Sequence, residues 1–123
     1  MGVRSLTWAA RRVDAETLDD ARALAGALGL EVVADEPGKV VATTVRGDVV
    51  EWLAPERAEP AHLFVAQETV LGFDVDDLDA AMVSLAAAGF TPIVEPQRAP
   101  GDGIRFAHVR GPGGLVYGVI QLG

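Results

Sequence analysis

Two stretches of the sequence decide the fold: Leu18–Asp35 (LDDARALAGALGLEVVAD) and Leu78–Glu95 (LDAAMVSLAAAGFTPIVE) align with each other without gaps. Self-similarity of this kind indicates a structural unit that occurs twice. The identical columns are Leu18/Leu78, Asp19/Asp79, Ala21/Ala81, Ala27/Ala87 and Gly29/Gly89. Because alanine-rich segments match one another by chance, the stronger indication is that the structural signals around both copies come in the same order.

A helix is predicted near the start of each copy. Each is preceded by an apolar strand pattern that ends in Val-Asp, and we expect Asp14 and Asp76 to cap the helices by accepting backbone N–H bonds. Gly29 and Gly89 are expected to end the helices, because glycine readily adopts a left-handed backbone. The apolar residues at helical spacing are Leu18, Ala21, Ala25 and Leu28 in the first copy and Leu78, Ala81, Met82 and Leu85 in the second.

Three strands are predicted after each helix, at Leu30–Ala34, Lys39–Arg46 and Asp48–Leu53 and again at Phe90–Val94, Ile104–Arg110 and Leu115–Leu122. Gly47-Asp48 predicts a two-residue hairpin turn, and Gly111–Gly114 predicts a longer turn. The sequence therefore predicts an α+β fold of two βαβββ modules within one compact domain. The first module covers residues 1–53, a linker covers 54–68, and the second module covers 69–123.

The composition excludes several functional classes. There is no cysteine, which removes disulfides, thiolate metal sites and cysteine nucleophiles. The net charge of -8 and the single lysine, Lys39, argue against nucleic-acid binding. No apolar run approaches the length of a membrane span, and the N-terminus lacks the pattern of a secretory signal. We therefore expect a cytoplasmic protein with neither a membrane nor a nucleic-acid partner.

The order strand, helix, strand, strand, strand, present twice, resembles the repeat of the vicinal oxygen chelate superfamily, which includes glyoxalase I, bleomycin-resistance proteins and extradiol dioxygenases. Its most specific segments are Gly72–Ala81 (GFDVDDLDAA) and Arg110–Tyr117 (RGPGGLVY), where Gly111 replaces the aspartate of the family's usual Asp-Pro-x-Gly turn. The resemblance implies that the modules form a mixed, strongly curved eight-stranded sheet around a ligand cavity. It also implies a homodimer with cavities near the interface, with or without exchange of modules.

Metal-dependent members of this superfamily carry His or Glu at four inward-facing positions, which the resemblance assigns to Trp8, Glu51, Val70 and Gly118. Only Glu51 retains a metal-competent side chain, and catalytic zinc or iron(II) typically needs three or four protein ligands. We therefore expect no metal, no other cofactor and no catalytic residues. An improvised site of Glu51 with His108 stays open as an alternative.

The vacated positions predict an apolar, partly aromatic binding cavity. Trp8 offers a flat stacking face with one N–H donor, and Gly118 lets a ligand approach the backbone. The candidate ligand-binding residues, extended by strand alternation, are Leu6, Trp8, Glu51, Leu53, Val70, Gly72, Phe106, His108, Gly118 and Ile120. Phe106 and His108 share a face of their strand, and the sequence does not show which. Trp52 is expected to pack beneath a helix, and a core role for Trp8 is the alternative to a cavity role.

These features favour a non-catalytic small-molecule binder, similar to the metal-free members of the bleomycin-resistance group that sequester an antibiotic. The ligand would be hydrophobic or aromatic, and the acidic surface favours a cationic one. The alternative is a lyase, isomerase or dioxygenase of the same superfamily that uses an unrecognised metal or none. A third hypothesis is a degenerate domain with a structural role.

Overall fold

The computed structural model describes residues 2–100 and 103–122. In this part of the chain there are eight strands, two α-helices and two short 3-10 helices. The chain divides into two compact units. The first unit is Thr7–Val70, and the second unit is residues 71–122 together with residues 2–6. Each unit combines one helix with a mixed sheet, so the predicted α+β fold and its βαβββ repeat are confirmed.

The first unit orders its strands β2-β3-β4-β1 and covers one face of the sheet with α1. Strand β1 is parallel to β4, and the other neighbours are antiparallel. The elements are β1 Val3–Arg12, of which residues 3–6 belong to the second unit, α1 Thr17–Leu28, β2 Glu31–Glu36, β3 Lys39–Thr43 and β4 Val49–Leu53. Two 3-10 helices follow, at Pro55–Arg57 and Ala61–Phe64.

Beneath α1 lies the core of the first unit. Its buried residues are Val13, Leu18, Ala21, Val40 and Ala54. Trp52 packs against this cluster, which confirms the prediction that it lies under a helix. Leu28 is 67% exposed, so the buried stripe of α1 ends one turn earlier than predicted. The segment predicted as a linker buries Leu63 and Phe64 as well, and therefore contributes to the packing of this unit.

The second unit repeats the arrangement with the strand order β5-β8-β7-β6. Here β5 and β8 are parallel, and β8-β7 and β7-β6 are antiparallel. The elements are β5 Thr69–Val75, of which residues 69 and 70 belong to the first unit, α2 Leu78–Ala87, β6 Thr91–Arg98, β7 Arg105–Arg110 and β8 Val116–Gln121. The buried core under α2 consists of Val75, Leu78, Ala81, Ala107, Val109 and Val119, with Met82, Leu85, Phe90 and Tyr117 packed against it.

The helix caps differ between the two copies. Asp14 accepts hydrogen bonds from the backbone N–H and the hydroxyl of Thr17, the first residue of α1. In the second copy Asp77, not Asp76, is the N-cap, and it accepts from the N–H of Ala80 at 3.0 Å. The prediction for Asp76 was wrong because its carboxylate instead accepts from the backbone N–H of Gly2.

The predicted helix-ending glycines are confirmed, with φ of 73° at Gly29 and 92° at Gly89. The two-residue turn predicted at Gly47-Asp48 is wrong, because β3 ends at Thr43 and β4 begins only at Val49. Backbone bonds from Thr44 to Asp48 and from Gly47 to Thr44 close this longer loop. The longer turn at Gly111–Gly114 is confirmed by the bond from the N–H of Gly111 to the carbonyl of Leu115.

None of the helices in residues 2–100 and 103–122 is long and apolar enough to cross a membrane.

Candidate functional site

The sheet of the first unit has one face that α1 leaves uncovered, and Trp8, Glu51 and Leu53 lie on it. Ala10 pairs with Glu51, and Trp8 pairs with Val49, across the parallel strands β1 and β4. Residues of the opposite parity, among them Trp52, pack under α1. Because side chains alternate along a strand, Trp8 and Glu51 must point to the other side. The structure thus brings three of the predicted site residues together on one face.

Trp8 and Glu51 are joined directly. The indole Nε1 of Trp8 donates a hydrogen bond to Oε2 of Glu51 at 2.5 Å, and both side chains are partly buried. The N–H that the sequence offered as a donor is therefore engaged by Glu51, which accepts its hydrogen bond. The carboxylate fixes the orientation of the indole, and contact of the ring faces of Trp8 with a ligand stays a prediction.

A cavity of about 440 Å³ adjoins Glu51 in the first unit. Its lining combines cationic, anionic and apolar side chains: Lys39, Glu51, Leu53, Arg57, Glu59 and Pro60. Lys39 pairs with Leu53 across β3 and β4, so strand alternation from Glu51 could have identified it. Arg57 comes from the predicted linker, where no periodic pattern exists to place it.

Arg57 is held in position at the edge of this cavity by the loop between β2 and β3. Its guanidinium donates to a carboxylate oxygen of Glu36 and to the carbonyl of Pro37, each at 2.9 Å. The hydrogen bond from Arg57, supported by the charges of Arg57 and Lys39, lowers the pKa of Glu36 below its ordinary value. The guanidinium of Arg57 therefore serves mainly to hold the loop in place. Lys39 is the cation in the lining whose amine forms no ion pair among the described residues.

The second unit also has a sheet face that its helix leaves uncovered. Gly72 pairs with Gly118, and Gly118 pairs with His108, which forms one row across β5, β8 and β7. Ile120 and Phe106 form part of the next row. The intervening residues pack under α2, so the predicted site residues of this unit lie on the opposite face.

The orientation of Phe106 and His108, which the sequence does not show, is settled by this register. Both lie on the face away from α2, with ring centroids 5.4 Å apart and an interplanar angle of 45°. The two remaining predicted residues differ in exposure. Val70 is fully buried, whereas Leu6 is 49% exposed. Contact of any of these residues with a ligand stays a prediction.

One polar residue on the second face was missed in the sequence. Asp74 pairs with Ile120 across β5 and β8 and is only 4% exposed. Strand alternation from Gly72 places Asp74 on the same face, so the sequence Gly72-Phe73-Asp74 already contained the pattern that identifies it. An aspartate next to a capping motif, however, suggests a turn rather than a buried strand position.

Within the described residues, no group of three or more His, Cys, Asp or Glu side chains is placed to hold a metal ion. The absence of a metal and of other cofactors stays a prediction.

Comparison with known families gives a match over most of the chain. The model described as "Glyoxalase/Bleomycin resistance protein/Dioxygenase superfamily" matches residues 24–117. The comparison with curated proteins found no match.

Solved structures resemble the whole chain in fold. A glyoxalase/bleomycin resistance protein/dioxygenase superfamily member from Vibrio splendidus 12B01 has a TM-score of 0.61 at 14% identity, covering 98% of this chain and 99% of that chain. Methylmalonyl-CoA epimerase from Mycobacterium tuberculosis has a TM-score of 0.60 at 20% identity, covering 99% and 88%. A variant of the epimerase from Streptomyces coelicolor, in complex with 2-nitronate-propionyl-CoA, has a TM-score of 0.61 at 17% identity, covering 98% and 99%. At these identities the likeness is one of fold.

Proposed function

This chain belongs to the glyoxalase, bleomycin resistance protein and dioxygenase superfamily, and on that premise we propose that it binds a small hydrophobic or aromatic molecule without transforming it. Its role would be to sequester an antibiotic or a similar natural product and so to confer resistance. The candidate residues are those of the two uncovered sheet faces, with Trp8 as the main aromatic contact.

The observation that carries this proposal is the hydrogen bond between Trp8 and Glu51. By the family resemblance, both residues stand at positions where metal-dependent members carry ligands. Here an indole occupies one position and donates a hydrogen bond to the carboxylate at the other, an arrangement suited to a fixed aromatic surface. Valine and glycine at the remaining two positions, Val70 and Gly118, add no metal-competent group.

An aromatic wall with a few polar groups is the usual composition of a small-molecule site. The cavity beside Glu51 has a volume of about 440 Å³, within the range of such sites, and its lining is mostly charged and does not include Trp8. The net charge of -8 favours the approach of cationic molecules over anionic ones. A planar aromatic body with a cationic substituent therefore fits the proposal best.

Fluorescence provides the test, because the chain has two tryptophans and Trp52 packs under α1. The variant Trp52→Phe leaves Trp8 as the single reporter. We expect titration with anthracyclines or bleomycin to give a saturable change in its emission. If neither compound changes the emission or the melting temperature of the parent, sequestration of such drugs is contradicted.

A catalytic function is the second candidate, because the similar structures from Mycobacterium tuberculosis and Streptomyces coelicolor bear the name of an epimerase. Elemental analysis of protein purified without chelator separates the two candidates. Stoichiometric nickel, zinc, manganese or iron would contradict the binder proposal, and its absence together with saturable drug binding would support it.

We also propose that the protein is a cytoplasmic homodimer, with or without exchange of modules, and that its cavities lie near the interface. The exposed apolar side chains of Leu24, Val32 and Val33 offer surface that a second copy could cover. Sedimentation equilibrium at micromolar concentration is the measurement. A monomer that retains ligand binding would contradict the dimer.

A further inference from the structure

Asp74 is a buried carboxylate on the face of the second unit's sheet that lies away from α2. It is 4% exposed, and within the described residues its Oδ1 has no hydrogen-bond partner. Burying a polar atom without a partner opposes folding, and most buried polar atoms in proteins are paired. An unpaired buried carboxylate oxygen in a folded protein therefore calls for a partner from outside the chain or for a structural reason.

The surroundings of Asp74 suit a ligand better than a structural role. Across the sheet, Asp74 pairs with Ile120, and Ile120 pairs with Phe106; both of these residues are apolar. The neighbouring row begins with Gly72 and Gly118, which are partners across β5 and β8 and carry no side chains. Both glycines are buried, and neither contributes a side chain to this part of the face.

Beyond the two glycines, strand β7 carries two aromatic side chains on this face. His108 pairs with Gly118, and its ring lies 5.4 Å from the ring of Phe106. The face thus combines one buried carboxylate, a strip without side chains, and a pair of rings. An apolar surface with a single polar group to fix orientation is the general form of a small-molecule site.

We propose that Asp74 determines ligand specificity on this face by accepting a hydrogen bond from a protonated amine on the ligand. This inference rests on the proposed function, since it assumes that the chain binds a small molecule. Hydrogen bonds between ionised groups are about twice as strong as neutral ones, so an amine is favoured over an alcohol. A site with an unpaired polar atom also discriminates strongly against a ligand that lacks the donor.

The first experiment needs no ligand and compares thermal unfolding of the parent with Asp74→Leu and Asp74→Asn. Removing a buried carboxylate with an unpaired oxygen should raise the unfolding midpoint, by about 4 °C or more for leucine. Asparagine has the same shape and is the safeguard if leucine does not fit; it should be at least as stable as the parent. Asp77→Leu is the matched control, because its carboxylate caps α2 and its loss should lower the midpoint.

A lower midpoint for Asp74→Asn would mean that the carboxylate has a structural partner, and it would overturn the assignment of Asp74 to a ligand. The same conclusion follows if Asp74→Leu folds but is less stable than Asp74→Asn and the parent.

The second experiment measures affinity by calorimetry with three probes of matched shape: naphthylmethylamine, naphthylmethanol and methylnaphthalene. In the parent the amine should bind about tenfold or more tighter than the hydrocarbon, with the alcohol between them. In Asp74→Asn the advantage of the amine should disappear, while the affinity for methylnaphthalene stays within about twofold.

Equal affinity of the parent for the three probes would overturn the role of Asp74 and leave the proposed function standing. The same holds if Asp74→Asn weakens all three equally, because that pattern is expected of a structural residue. Saturable binding of none of the probes up to their solubility limit would count against the proposed function and the role of Asp74 together.

Discussion

Trp8 and Glu51 are partners across two neighbouring strands, with Nε1 of the indole donating to Oε2 of the carboxylate at 2.5 Å. The parallel register that pairs Ala10 with Glu51 puts the two side chains on the same face of the first unit. A slip of one residue would send them to opposite faces. Their contact therefore depends on the register, and the orientation of the indole depends on the contact.

Trp8→Ala should weaken the binding of an aromatic ligand by about 1–3 kcal/mol, the range known for stacking on aromatic side chains, and should leave the fold intact. Trp52→Ala is the control. It removes a side chain that packs against the core under α1, so it should lower the free energy of unfolding by about 3 kcal/mol. Calorimetry and urea unfolding measure the two effects. If Trp8→Ala unfolds the protein or leaves affinity unchanged, Trp8 is a core residue.

Asp77→Ala should lower the free energy of unfolding by about 1 kcal/mol, because it removes the N-cap that accepts from the N–H of Ala80. Asp76→Ala, one residue earlier, removes a bond to Gly2 instead and should mainly loosen the chain ahead of β1. Hydrogen exchange distinguishes the two, since only Asp77→Ala should speed exchange in the first turn of α2. Identical exchange patterns would contradict the assignment of the cap.

Asp14 should contribute to a loss of stability in acid. The hydrogen bond from the hydroxyl of Thr17 lowers the pKa of Asp14 below its ordinary value of 3.8. Its ionised form therefore stabilises the folded state above pH 3.8, and this contribution disappears as the pH falls through the lowered pKa. Asp14→Asn should flatten the pH dependence of unfolding on the acid side. Thr17→Ala should have a smaller effect of the same sign, because the backbone N–H of residue 17 still donates. An unchanged profile in Asp14→Asn would contradict this prediction.

Gly111→Ala should destabilise the protein by about 1–3 kcal/mol through overpacking. An added Cβ would lie 2.9 Å from Cε2 of Phe90, whose ring packs against Tyr117. Gly113→Ala is the matched control in the same turn, because its Cβ would meet nothing within 4 Å. It should change the free energy of unfolding by no more than about 0.5 kcal/mol. Equal effects of the two substitutions in urea unfolding would show that Phe90 moves aside.

Much of the fold was predictable because the determining signals are local. The repeated order of apolar strand pattern, helix stripe and glycine indicated two βαβββ modules, and the left-handed glycines lie where they were expected. The errors came where neighbouring residues of the same type compete. Asp76 and Asp77 are equally good caps in sequence, and the choice between them depends on Gly2, which lies far away along the chain.

The sequence by itself indicated the fold and the association of each helix with its own strands, because strand alternation and helix periodicity are properties of adjacent residues. Only the tertiary structure decided that Trp8 and Glu51 share a face and form a hydrogen bond, that His108 lies away from α2, and that Asp74 is buried with an oxygen that has no partner within the described residues. These features depend on which strands become neighbours and in which register, and hydrogen bonding and burial follow from that arrangement rather than from residue type.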